Sequence, residues 1–145
     1  MSETISITRI KNSAEREAAF AVREKVFVEE QNVPRLEEYD TFEDESHHYL
    51  ATYGGVPCGA ARWRTTEKGV NLERFAVLKE FRDRGVGSEI LKQVLEDVRA
   101  AHPDQTIYLH AQVKALPFYQ RHGFSARGEM FSECDIDHFQ MVWVK

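Results

Sequence analysis

Between Arg82 and Ser88 the chain reads Arg-Asp-Arg-Gly-Val-Gly-Ser, a set of residue types suited to holding a phosphate. The preceding run, Leu72 to Leu78, is apolar, aromatic and β-branched and predicts a strand. After it, Val86, Ile90, Leu91, Val94, Leu95 and Val98 recur at helical spacing, and His102-Pro103 ends the pattern. The first N–H groups of a helix have no intrahelical partner and lie at the positive end of its dipole. Two glycines let that backbone approach an anion closely, and Arg82 and Arg84 add positive charge. A P-loop needs Lys then Ser or Thr after its last glycine, and here Gly87 is followed by Ser88-Glu89. A dinucleotide fingerprint needs a third glycine where Ile90 stands. What remains is R-x-x-G-x-G directly after a strand, a form that a plain strand-to-helix turn also satisfies.

A second stretch narrows the choice. Leu116-Pro117-Phe118-Tyr119-Gln120-Arg121-His122-Gly123-Phe124 predicts a short helix with a left-handed glycine cap and a strand beyond it. Taken in this order, the two motifs resemble those of the GNAT N-acetyltransferase superfamily, in which R-x-x-G-x-G holds the acetyl-CoA pyrophosphate. Three further pieces resemble its ElaA-like branch: Arg23 to Pro34, Leu109 to Gln112 and Asp135 to Met141.

The resemblance implies acetyl-CoA as cosubstrate and direct attack on its thioester by the primary amine of a small molecule. It places Arg82, Arg84, Gly85, Val86, Gly87 and Ser88 on the cofactor. Phe75, Ala76 and Val77 match the strand that pairs with pantetheine, with the Val77 N–H polarising the thioester carbonyl. Tyr119 matches the tyrosine beside the CoA sulfur, where a phenol can protonate the leaving thiolate. Gln112 stands where the superfamily often has an asparagine touching CoA. The candidate bases are Glu73, on strand four but two residues later than in relatives, where Asn71 stands, and His110 on strand five. Arg23, Glu29, Gln31, His48 and His138 are candidates for the acceptor side. A hydrogen-bonded structural role is the alternative for each histidine, and no metal-ligand spacing links them. A non-catalytic acyl-CoA-binding regulatory module is the alternative reading of the whole.

These residues need elements to position them. Thr4 to Arg9 alternates as a first strand, and Asn12-Ser13 caps a helix from about Ala14 to about Glu29. Glu30 to Glu45 is acidic and broken by Pro34, a solvated loop or a lid on the substrate side. His48 to Tyr53 and Val56 to Trp63 predict strands joined at Gly54-Gly55. Thr106 to Ala111 predicts a strand and Val113 to His122 a short helix. Phe124 to Met130 and His138 to Val144 predict strands either side of a turn from Ser132 to Asp137. The order β-α-β-β-β-α-β-α-β-β implies an α/β fold, a mixed sheet of about seven strands with helices on both faces. The superfamily's sheet splits between its fourth and fifth strands.

The length, 145 residues, suits one domain, here the acetyltransferase domain over 1–145. The net charge of −5 argues against a nucleic-acid partner. No apolar run approaches the ~20 residues of a membrane span, and the N-terminus lacks a signal-peptide core. Cys58 and Cys134 read as free thiols, so a cytoplasmic protein is expected, with a homodimer suggested by the superfamily.

Overall fold

The computed structural model describes residues 4–144. Its strands are β1 (Ile5–Arg9), β2 (His47–Tyr53), β3 (Val56–Thr66), β4 (Gly69–Val77), β5 (Ile107–Gln112), β6 (Phe124–Glu133) and β7 (Ile136–Trp143). Its α-helices are α1 (Ser13–Arg23), α2 (Arg35–Glu38), α3 (Val86–Ala101) and α4 (Leu116–Arg121). The strands form one sheet in the order β1-β2-β3-β4-β5-β7-β6. Every neighbouring pair is antiparallel except β4 with β5. No helix among the described residues is long and apolar enough to cross a membrane.

Helices cover both faces. On one, Asn12 Oδ1 accepts the Glu15 N–H at 2.8 Å and starts α1. Ala19, Val22 and Val26 then pack on Leu50, Ala60 and Ala76 of the sheet. On the other, the predicted stripe of α3 is buried along its whole length against Tyr49, Trp63, Val70, Leu72 and Leu109. Each such side chain contributes about 1.5–3 kcal/mol relative to exposure.

The split lies between β4 and β5. Their ladder has three pairs, Val70↔Ile107, Asn71↔Tyr108 and Leu72↔Leu109. Beyond Leu72 a bulge interrupts β4. Arg62 faces Glu73 and Ala60 faces Ala76, so Arg74 and Phe75 share the single residue Ala61 as their opposite. Arg74 takes a left-handed φ of 58° there. A bulge bends its strand and ends pairing on one side, and the two parallel strands part.

Three expectations change. The first α-helix ends at Arg23 and continues as a π-helical segment, Glu24–Glu30, whose last turn closes with the Gln31 N–H on Val26 O at 3.1 Å. The wider turn keeps Val26 in the core. The acidic stretch is not a solvated loop throughout. It contains α2, and Glu38 and Glu43 are 2% and 8% exposed because distant arginines meet them. The turn expected from Ser132 to Asp137 contracts to Cys134-Asp135, with φ of 50° and 60°. Such a two-residue turn matches the strand twist, and it lets β6 run to Glu133.

Candidate active site

Where β4 and β5 part, a cleft of about 660 Å³ opens. One wall is Asn71 to Val77, the other Leu109 to Gln112, and Tyr119, Gln31, Glu133 and His138 also line it. The Leu78 N–H bonds Cys58 O at 2.8 Å. In an antiparallel ladder the preceding residue then turns its amide the other way, so the Val77 N–H faces the gap. The Val77 carbonyl points there too, and accepts from Arg82 Nε at 3.0 Å.

The turn expected to hold phosphate, Arg82 to Ser88, lies at one end of this gap. Gly85 caps α3 with φ +86°, and no side chain caps the helix. The Glu89 N–H bonds Gly85 O, leaving the amides of Val86, Gly87 and Ser88 ahead of the first intrahelical bond. A Cβ on Gly87 would sit 3.4 Å from Phe118 Cζ and 3.9 Å from Val77 Cγ2, so the helix start abuts the end of β4 and α4. The arginines are partly committed. Arg82 forms a two-pronged pair with Glu30, both contacts at 2.7 Å. The Arg84 guanidinium lies over Tyr53 and Phe81 at 5.2 and 5.6 Å. Ser88 Oγ is hydrogen-bonded to His122 Nε2 at 3.1 Å. Unpaired amides, a glycine start and nearby positive charge fit the pyrophosphate of CoA.

Tyr119 enters the cleft from α4 among Phe75, Phe118 and Phe124, with ring centres 5.0–6.3 Å apart. Burial alone pushes its phenol pKa up, so the hydroxyl stays protonated well above neutral pH. Its hydroxyl makes no hydrogen bond among the described residues and is free to donate.

Glu73 is in the cleft but occupied. Its Oε1 accepts from Arg62 Nε at 3.2 Å and Arg64 Nε at 2.8 Å. His110 is also in the cleft, and its Nδ1–H donates to Glu133 Oε1 at 2.9 Å. Gln112 and Gln31 meet each other across it, Nε2 to Oε1 at 2.8 Å. His138 lines the cleft, its Nδ1–H held by Ile136 O at 2.6 Å.

Three acceptor-side candidates lie outside the cleft. Arg23 is 1% exposed and binds Glu38 at 2.6 Å and Glu43 at 2.7 Å, outside the cleft. His48, on β2, donates to Glu43 O at 2.7 Å and is likewise outside it. Both face inward from α1 and β2, and the acidic segment covers them. Glu29 is exposed and not part of the cleft lining. His48 also lies three strands from His110, and no group of three or more His, Cys, Asp or Glu among the described residues is placed to hold a metal.

Sequence reasoning missed Glu133, Arg64 and Arg74. Glu133 reaches His110 only through the β6–β7 register, which shifts between Arg127 and Phe131. Arg74 pairs with Glu38 and Asp40, both at 3.1 Å, only because of its bulge. Asn71 Oδ1 is buried in the cleft wall without a hydrogen-bond partner among the described residues.

Residues 10–145 match the acetyltransferase (GNAT) domain. The uncharacterized N-acetyltransferase YjcF of Bacillus subtilis strain 168 is 44% identical over 133 residues, covering 91% of this chain and 94% of YjcF. The crystal structure of Escherichia coli ElaA superposes with a TM-score of 0.87 at 25% identity, over 97% of this chain and 100% of that one. An acyl-CoA N-acyltransferase from Pseudomonas aeruginosa superposes with a TM-score of 0.84 at 26% identity, over 99% and 100%. A sheet split beside a glycine-started helix, with a buried tyrosine facing the gap, accompanies that sequence match, and the chain belongs to the GNAT family of N-acetyltransferases.

Proposed function

We propose that this protein transfers an acetyl group from acetyl-CoA to the primary amine of a small molecule, by direct attack of the amine on the thioester. The observation that carries the reading is the gap itself. The Val77 amide faces it, the Tyr119 hydroxyl has no hydrogen-bond partner within it among the described residues, and the α3 N-terminus stands at its end. The free thiols of Cys58 and Cys134 support a cytoplasmic setting. The P. aeruginosa neighbour's acyl-CoA chemistry supports the donor.

In this reading the backbone amides of Val86, Gly87 and Ser88 hold the CoA pyrophosphate. The edge of β4 from Phe75 to Val77 holds the pantetheine arm, and acetyl-CoA supplies an activated acetyl thioester. The Val77 N–H polarises the thioester carbonyl, a donation that is worth more in a site shielded from water. Tyr119 gives its phenolic proton to the departing sulfur. Gln31, Glu73, His110 and His138 line the acceptor half of the cleft.

Release of CoA thiol from acetyl-CoA, measured against a panel of primary amines, tests the reading. Wild type should acetylate at least one amine. Tyr119→Phe should lower kcat by about 10²-fold or more, the loss of one positioned proton donor, with acetyl-CoA affinity retained. Tight acetyl-CoA binding with no turnover on any amine would instead make the protein a non-catalytic acyl-CoA-binding module.

A further inference from the structure

An amine acceptor arrives largely protonated at neutral pH and can attack only after losing a proton. The strand-four carboxylate is badly placed to take it. Three contacts, from Arg62 Nε at 3.2 Å, Arg62 Nη2 at 3.1 Å and Arg64 Nε at 2.8 Å, all fall on the same Glu73 oxygen. Glu73 thus serves as the counter-ion of two guanidiniums.

The opposite wall offers a different arrangement. His110 lies one residue beyond Leu109, the last residue of β5 paired to β4, at the point where the cleft opens. Its Nδ1–H donates to Glu133 Oε1 at 2.9 Å. A carboxylate can only accept, so the bond fixes the neutral tautomer and leaves the lone pair on Nε2. That nitrogen has no hydrogen-bond partner among the described residues, and His110 and Glu133 both line the cleft. The ring is also held in place. Phe131 packs edge-on at 5.0 Å, and Tyr108 lies 6.2 Å away on the same strand. The hairpin of β6 and β7 supplies Glu133, Phe131 and His138, the last stacked on Phe131 at 5.8 Å. Across the gap Glu73 is paired with Arg64, and Arg74, which helps hold the Glu133 carboxyl below its usual pKa, is paired with Glu38 and Asp40; Glu37, Arg82 and Lys114 complete the charged lining.

Resting on the acetyltransferase reading, we propose that His110 Nε2 is the general base of this enzyme and that Glu133 is the positioning residue that orients it. An ammonium acceptor sheds two protons during the reaction. His110 takes the first and passes it to water. The amine lone pair forms the N–C bond as the C–S bond breaks, and the Tyr119 hydroxyl protonates the sulfur. The second nitrogen proton restores the Tyr119 phenol. Charge and atoms balance without a further reactant.

The test compares wild type, His110→Gln and Glu133→Gln, using acetyl-CoA and the best amine of the panel, with acetyl-CoA Kd measured calorimetrically for each. His110→Gln should lower kcat/KM for the amine by about 10²-fold or more, and Glu133→Gln by about tenfold. Acetyl-CoA Kd should stay within about twofold, since neither residue lies at the cradle. Shape separates chemistry from structure. The kcat/KM of His110→Gln should climb about tenfold per pH unit towards the amine's own pKa, past the point where wild type levels off. Added imidazole should restore turnover to His110→Ala and leave Tyr119→Phe unchanged. Wild-type rates and pH profiles in both variants would overturn the dyad and leave the acetyltransferase reading standing. So would loss of acetyl-CoA binding in both, which would make the pair part of the fold. A wild type that acetylates no amine would overturn both.

Discussion

Tyr119 shows how a residue's surroundings select its role. It is 9% exposed in a ring of phenylalanines, and that burial keeps its hydroxyl protonated and able to donate. Its identity and place were legible in the sequence, because the aromatic, the glycine cap and the next strand are all local signals. The glycines at the start of α3 were legible for the same reason. Gly85 has φ +86° and open space where a Cβ would go, so its cost of substitution is conformational. Gly85→Ala should destabilise the fold by about 1 kcal/mol, read from denaturant midpoints, without a steric clash. The partners of charged residues were not legible. Glu73 resembles a base in the sequence, yet two arginines from the neighbouring strand claim it, and cross-strand register at a bulge is not a local property.

At the scale of elements, the segment from α2 to β2 is held down by ion pairs. Arg62 is fully buried and contacts Asp40 at 2.6 Å, Glu43 at 2.9 Å and Glu73 at 3.1 Å. Arg23 secures Glu38 and Glu43 beside it. Breaking a buried pair on one side strands its partners, so Arg62→Met should destabilise by about 3–5 kcal/mol and loosen the segment from α2 to β2. Limited proteolysis near residues 35–45 would report that loosening. Acid acts on the same latch. Burial opposes ionisation of Asp40, but Arg62, the Phe42 N–H and Arg74 outweigh it and hold its pKa at about 2. A carboxyl lowered on folding stabilises above its unfolded pKa of roughly 3.9 and loses that contribution as pH falls towards 2. Asp40→Asn should therefore cost about 1–2 kcal/mol at pH 7 and much less at pH 2, with urea midpoints as the measure. The helices and strands themselves were readable from periodicity. The acidic segment was misread because its hydrogen-bonding partners lie on α1, β3 and β4.

For the whole molecule, the alternation of elements pointed to a mixed sheet with helices on both faces. The insertion of β7 between β5 and β6 is a non-local choice that no periodicity encodes. That insertion matters, since it carries Glu133 and His138 to the β5 wall of the cleft. The three-pair β4–β5 ladder turns a continuous sheet into two halves with a ligand-sized gap. Whether this gap binds acetyl-CoA can be read from thermal unfolding without knowledge of the acceptor. Acetyl-CoA, CoA, ATP and NAD would each be added at the same concentration. A ligand present at about 100 times its Kd stabilises the native state by about 2.7 kcal/mol. In a chain of this size that raises Tm by about 5 °C or more. Such a shift is expected with acetyl-CoA and CoA and none with ATP or NAD. No shift with CoA, or a larger one with ATP or NAD, would contradict that expectation.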